Sequence, residues 1–235
     1  MGITSMLATP PAPHTVTLPV SGSPARFPVN RVLCLGRNYH WGAPSEPQGE
    51  APPPLYFMKP ASAVIDASGQ IPFPPATAEF CHEIELVVAI AEGGFRIPAS
   101  QALAHVWGYA AGLDMTRRDL QTRAKAEGQS WEAAKAFDGA APIAPLVPVA
   151  ECGHPAQGAI WLRVNGEERQ RGDLAQLITP VAEAIALLSQ YLRLQPGDLI
   201  MTGTPPGVAP LQPGDLIEAG IDGVGALEVR VGPRP

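Results

Sequence analysis

Between Ile84 and Ile90 every position except Glu85 is apolar, and the run is rich in β-branched residues. Such a run predicts a buried strand. Val106 to Leu113 predicts a second, and Arg31–Leu35 and Leu55–Met58 predict shorter ones. Trp161 to Val164, then Asn165-Gly166, then Glu167 onward predicts a hairpin with a type I′ turn. Only one stretch has a clear helical period: Val181, Ile185, Leu188 and Leu192, started and capped by Thr179-Pro180. Thr116-Arg117-Arg118-Asp119 has capping-box spacing with Asp in place of Glu, so Leu120 to Gly128 predicts a short helix ended by its glycine. Ser130-Trp131-Glu132 begins another brief helical piece. The string Gln195-Pro196-Gly197-Asp198-Leu199-Ile200 recurs as Gln212-Pro213-Gly214-Asp215-Leu216-Ile217. Pro-Gly is turn chemistry, so two hairpin-like returns are expected around Thr202–Gly207. The echo is too short for a repeat architecture.

Proline density divides the rest. Residues 1–25 carry Pro10, Pro11, Pro13, Pro19 and Pro24 and are expected to form an arm or edge, with regular order beginning near Arg31 and a single domain over 26–235. Residues 42–54 are again rich in Pro and Gly and predict a long loop, a lid in the functional reading. The pattern as a whole is β-rich α+β with few short helices and no βαβ alternation.

Composition narrows the function. A chain of 235 residues, 46% hydrophobic and 16% charged, can bury one substantial core. A net charge of −6 leaves no basic footprint, so no nucleic-acid partner is expected. Cys34, Cys81 and Cys152 have no paired spacing and are expected to be reduced, buried thiols. No apolar run reaches the roughly 20 residues that a membrane helix needs, and no basic-then-apolar leader is evident. The expectation is a cytoplasmic protein with no membrane partner and a small-molecule substrate.

The candidate chemistry sits where the longest strand begins. In His82-Glu83-Ile84-Glu85-Leu86 the two glutamates are i and i+2 of an extended chain and project to one face. Two carboxylates entering a core need a neutralising partner, and a divalent cation with oxygen ligands is the simplest. Asp114, just past Leu113, is the obvious third ligand. The bland alternative is a solvated strand face. His82 is offset by one from Glu83 and faces away. His14 and His154 read as surface residues and His105 as scaffold, whereas His40 stands at the mouth of the 42–54 loop. Lys135 lies among Ala133, Ala134 and Ala136, where a lysine would be partly desolvated. The 202–207 loop lacks the ending of a phosphate-binding loop but could line a pocket floor; G-x-S-x-G and H-E-x-x-H are absent.

Six strings together resemble the fumarylacetoacetate hydrolase family, in the family's order from about residue 31 to 231: Gly36-Arg37-Asn38-Tyr39, Phe57-Met58-Lys59-Pro60, His82 to Leu86, Leu113 to Gln121, Ala134 to Asp138 and Thr202 to Pro205. The wording is most similar to the fumarylpyruvate and acylpyruvate hydrolase branch. The resemblance implies a mixed β-roll, usually a homodimer, acting in aromatic catabolism. It further implies Mg²⁺ or Mn²⁺ held by Glu83, Glu85 and Asp114, with the metal chelating the 2-oxo acid end of a 2,4-dioxo acid and stabilising the enolate formed on C–C cleavage. Arg37, Arg118, Gln121 and Thr204 are then substrate-binding residues, Thr204 on the carboxylate, and Lys135 stabilises a developing oxyanion.

One departure bears on the reaction. The hydrolases place a histidine three residues after the tyrosine of G-R-N-Y and a glutamate three later, as the pair that activates water. Those positions here are Gly42 and Ser45, and His40 and Glu46 stand nearby as substitutes. The first expectation is hydrolysis of an acylpyruvate. The alternatives are an oxaloacetate-type decarboxylase or isomerase on the same scaffold, which needs no attacking water, or a non-catalytic metal-binding member.

Overall fold

The computed structural model describes residues 14–40 and 55–235. Its frame is an eight-stranded mixed sheet. Leu55–Pro60, Arg31–Gly36, Asp198–Met201, Ile84–Ile90, Val106–Leu113, Ala141–Ile143 and Val64–Asp66 lie side by side in that order, and Val147–Pro148 pairs with Val106–Leu113. A five-stranded sheet runs Glu167–Asp173, Ala159–Val164, Leu216–Ile221, Gly225–Val231, Ser68–Ile71. The expected strand-rich, helix-poor class is what forms.

Ile84–Ile90 is buried along its whole length because both its faces meet a core. Ile84, Leu86, Val88 and Ile90 join Ile160, Leu162, Ile217 and Val229 of the second sheet and Ile185 and Leu188 of the helix Val181–Tyr191. Val87 and Ala89 face the other way, toward Leu18, Val20 and Phe27. Those three belong to a hairpin of Thr17–Val20 and Ser23–Pro28, so strand order begins ahead of Arg31 and within the proline-rich stretch. Residues 1–13 and the expected lid at 42–54 lie outside the described residues.

Three local expectations are corrected. The helix after Asp114 spans Arg118–Ala126, and no capping box closes it: Asp119 accepts instead from Ala78 N and Thr77 Oγ1, which come from a distant loop. Thr179 does not cap the Val181–Tyr191 helix, whose N-cap position is Pro180 with no side-chain cap; the Thr179 N–H donates to Asn38 Oδ1. The Asn165-Gly166 turn joins its two strands as the pattern predicts, both residues at positive φ. The Gln-Pro-Gly-Asp echo forms the same turn twice, with Asp198 Oδ2 and Asp215 Oδ2 accepting from the N–H groups of Gln195 and Gln212 and the glycines at φ 87° and 90°. Neither is a hairpin: Asp198–Met201 pairs parallel with Arg31–Gly36 and antiparallel with Ile84–Ile90, and Leu216–Ile221 pairs with Ala159–Val164 and Gly225–Val231.

Candidate active site and metal centre

The strand register assembles the carboxylates. Ile84 pairs with Leu113 and Glu85 with Gly112, antiparallel. One step further out, Asp114 N–H donates to Glu83 O at 2.8 Å, so the ladder continues and sets Glu83 opposite Asp114. Side chains alternate across a sheet, so Glu83, Glu85 and Asp114 share a face. All three are buried, and one ligand oxygen from each lies within 4.8 Å of the others. Three hard oxygen donors in a closed group suit Mg²⁺ or Mn²⁺, so the donor set fits the divalent ion that the resemblance implies.

Cations bracket the group. Lys135, at the end of the short helix Glu132–Lys135, donates to Glu83 Oε2 at 2.9 Å, Asp114 Oδ2 at 2.6 Å and Thr116 Oγ1 at 2.6 Å. An ammonium has three protons, so all of Lys135's donors are engaged and it acts on the site as a fixed positive charge. It is fully buried, beyond the partial desolvation that its alanine surroundings predict. Arg118 reaches Glu83 Oε1 at 2.7 Å, and its other terminal nitrogen donates to Gln121 Oε1, three residues along the same helix face.

Sequence reasoning missed Lys59. It is fully buried, with Nζ 2.8 Å from Asp114 Oδ1 and bonds to the carbonyls of Met115 and Lys135. Two signals were available: a lone lysine in the apolar string Tyr56-Phe57-Met58-Lys59-Pro60, and the place of Phe57-Met58-Lys59-Pro60 among the family-like strings. Titration follows this layout. Burial drives the Asp114 carboxyl upward, but Lys135 and Lys59 outweigh it and hold its pKa below the ordinary value. Glu85 goes the other way: burial first, then the carboxylates of Asp114 and Glu83, push its pKa well up. The Gly203 N–H, which donates to Oε2 at 2.8 Å, and then the charge of Lys135 offset this only in part. Glu85 is thus the member of the group in greatest need of a cation.

The loop after Asp198–Met201 follows the carboxylate strand as a floor. Thr202 N and Oγ1 donate to Leu86 O, and Thr204 Oγ1 donates to Ile84 O. Gly203 takes φ 99°, and a Cβ there would sit 2.8 Å from that of Asn38, so no side chain fits. Asn38 ties the floor to its neighbours through Thr179 O and Thr202 O.

These parts line a cavity of about 510 Å³. Its lining combines the carboxylates of Glu83, Glu85 and Asp114 with Arg37, Arg118, Lys125 and Lys135, and Gln121, Thr204, Phe57 and Trp131 complete the wall. Arg37 holds a left-handed φ of 59°, a conformation uncommon for a residue with a side chain. Lys125 sits 4.8 Å above the Trp131 ring, and burial followed by the charges of Arg118 and Arg37 lowers its pKa. His40 is not part of this wall; its N–H donates to Gln176 O at 3.2 Å. His82 faces away, as expected from its register. Its Nδ1 is 2.8 Å from Gln170 Oε1. His105 Nδ1 bonds Glu92 O and His154 Nδ1 meets the Tyr109 hydroxyl, scaffold and surface roles respectively. All three cysteines are free thiols, Cys152 only half-buried.

A curled mixed-β domain with a buried three-carboxylate centre beside two lysines defines a class of protein with a site for a divalent metal. The chain belongs to the fumarylacetoacetate hydrolase family: residues 31–232 match the fumarylacetoacetate (FAA) hydrolase C-terminal domain. A fumarylpyruvate hydrolase of Pseudomonas aeruginosa, crystallised with Mn²⁺ and pyruvate, superposes with a TM-score of 0.87 at 47% identity, over 95% of this chain and 98% of that one. A Ralstonia fumarylpyruvate hydrolase is 42% identical over 76% of this chain and 93% of its own length. A mitochondrial oxaloacetate tautomerase of Mus musculus is 38% identical over 85% and 90%. Relatives of similar distance therefore carry out different reactions. No described helix is long and apolar enough to cross a membrane.

Proposed function

We propose that this chain is a metal-dependent hydrolase that cleaves the C–C bond of a 2,4-dioxo acid, fumarylpyruvate or a related acylpyruvate, to pyruvate and a carboxylic acid. The observation that carries this reading is the convergence of Glu83, Glu85 and Asp114 beside Lys135 in one cavity. The P. aeruginosa relative with Mn²⁺ and pyruvate supports it. Mg²⁺ or Mn²⁺ held by the three carboxylates would supply Lewis acidity at the 2-oxo acid end. Lys135 adds a fixed positive charge in a dry site, where charge developing on the departing enolate is most strongly stabilised. Arg118, Gln121 and the Thr204 segment bind the oxo acid. Arg37 and Lys125 extend the positive wall outward, which favours a substrate with a second carboxylate. His40, with Glu46 from outside the described residues, takes the water-activating role. By family resemblance the protein is a homodimer, and its unpaired cysteines favour the cytoplasm.

A second reading, oxaloacetate tautomerisation or decarboxylation, has its own support. Gly42 and Ser45 stand where the hydrolases carry their pair, and His40 lies off the cavity wall. Neither alternative reaction needs an attacking water. Product analysis with Mn²⁺ decides. Equimolar pyruvate and fumarate from fumarylpyruvate, lost in Glu85→Ala, is the expected result. Keto–enol exchange or carbon dioxide from oxaloacetate with no cleavage of fumarylpyruvate would replace the first reading with the second.

A further inference from the structure

Gln170 lies on Glu167–Asp173, the edge strand of the five-stranded sheet, yet it is fully buried against the active site. Its amide makes four bonds. Oε1 meets His82 Nδ1 at 2.8 Å and accepts from Ile84 N–H at 3.2 Å. Nε2 donates to Thr204 Oγ1 and to Pro205 O, both at 2.8 Å. The Ile84 N–H can only donate and the Pro205 carbonyl can only accept, so the amide has a single workable orientation. That orientation fixes two other groups. His82 must carry a proton on Nδ1 to donate to Gln170 Oε1. Thr204 Oγ1 must accept from Gln170, and it spends its own proton on Ile84 O at 2.7 Å.

We propose that Gln170 is a positioning residue that locks the Thr204 loop onto the start of the carboxylate strand and, by committing the Thr204 hydroxyl proton to Ile84 O, leaves the Thr204 backbone N–H as that residue's donor to the substrate carboxylate. The clamp bridges two segments that otherwise belong to different parts of the chain, 82–84 and 204–205. It explains why the histidine preceding Glu83 is buried although it faces away from the metal group. It also assigns the otherwise exposed edge strand a part in the site, with one inward residue between Arg169 and Arg171. The inference deepens the proposed function, since it rests on Thr204 facing a 2-oxo acid.

The test compares wild type with Q170L and with Q170M, which matches glutamine in length and serves if leucine prevents folding. Three readouts separate positioning from general support: hydrogen–deuterium exchange of the 202–206 segment in ligand-free protein, Mn²⁺ affinity, and pyruvate affinity of the Mn²⁺ form. The expected result is faster exchange confined to 202–206 and the 82–84 segment, Mn²⁺ affinity within about twofold, and pyruvate affinity roughly tenfold weaker, one hydrogen bond to a charged group. Unchanged exchange overturns the clamp. Faster exchange with unchanged pyruvate affinity overturns its role in the site. Loss of Mn²⁺ and pyruvate binding in parallel would make Gln170 a general support and overturn the proposal as well. If wild type itself binds no pyruvate, the functional reading falls and the clamp is judged on exchange alone.

Discussion

Lys59 Nζ lies 2.8 Å from Asp114 Oδ1 while Lys135 holds the opposite oxygen, so one buried aspartate carries a cation on each side. Lys59 sits beneath the site and outside the cavity wall, and its charge offsets the carboxylate group from below. Removing one partner of a buried ion pair leaves an uncompensated charge and costs about 3–5 kcal/mol. Lys59→Met is therefore expected to unfold at markedly lower urea concentration than wild type. An unchanged midpoint would mean that Lys135 alone suffices for Asp114.

Glu85 is destabilised by its neighbours, and the metal is expected to be its remedy. In metal-free protein Glu85→Gln removes a buried like charge while retaining an acceptor for the Gly203 N–H, and should raise stability by roughly 0.5–2 kcal/mol. The same variant should lose the thermal shift that Mn²⁺ gives wild type, about 2.7 kcal/mol at a hundredfold excess over Kd. Thermal scans with and without Mn²⁺ read both. A variant that still gains stability from the metal would remove Glu85 from the ligand set.

Lys125 is expected to select for a second carboxylate. Lys125→Ala should raise KM for fumarylpyruvate roughly tenfold, the equivalent of one charge-assisted contact, and leave acetylpyruvate within about twofold. The discrimination should shrink as salt is added, because the lysine is exposed. Equal effects on both substrates would place the lysine's role elsewhere.

His40→Ala and Glu46→Ala separate hydrolysis from enol chemistry. Loss of fumarylpyruvate cleavage in either, with oxaloacetate tautomerisation intact, is expected if the two replace the missing pair. Full hydrolysis in both would show that water is activated by other groups.

Asp119 provides a pH test away from the metal group. Its partial burial pushes the carboxyl up, but donors at Ala78 N, Thr77 Oγ1 and Leu120 N overcome that and lower its pKa. A lowered carboxyl pKa stabilises the fold above its unfolded value of 3.8, and that contribution fades as pH falls toward the folded value. Asp119→Ala should cost about 1 kcal/mol at pH 7, and the gap to wild type should narrow below pH 3.8. Urea midpoints measured across that range give the answer.

Several features of this chain are legible without coordinates because they are local. The Asn165-Gly166 turn, the paired Gln-Pro-Gly-Asp turns and the Val181–Tyr191 helix each depend on backbone and side-chain preferences within a few residues. The shared face of Glu83 and Glu85 follows from the two-residue period of a strand, and the motif order is enough to identify the family. Asp114 could be added because it closes the next apolar run.

Tertiary structure decided what lies across the fold. The register of Ile84 against Leu113 turned a plausible third carboxylate into a neighbour of Glu83. Lys59 reaches Asp114 from the far edge strand of the large sheet, and Gln170 reaches Thr204 from a different sheet altogether. Asp119 has helix-capping spacing but satisfies the loop at 77–78, which lies next to it only after Phe80–Cys81 pairs with Thr116–Arg117. In each case a buried polar group must find a partner, and the identity of that partner is set by which strands pack together. No short-range pattern encodes it, because the desolvation penalty that enforces the pairing exists only once the core has closed.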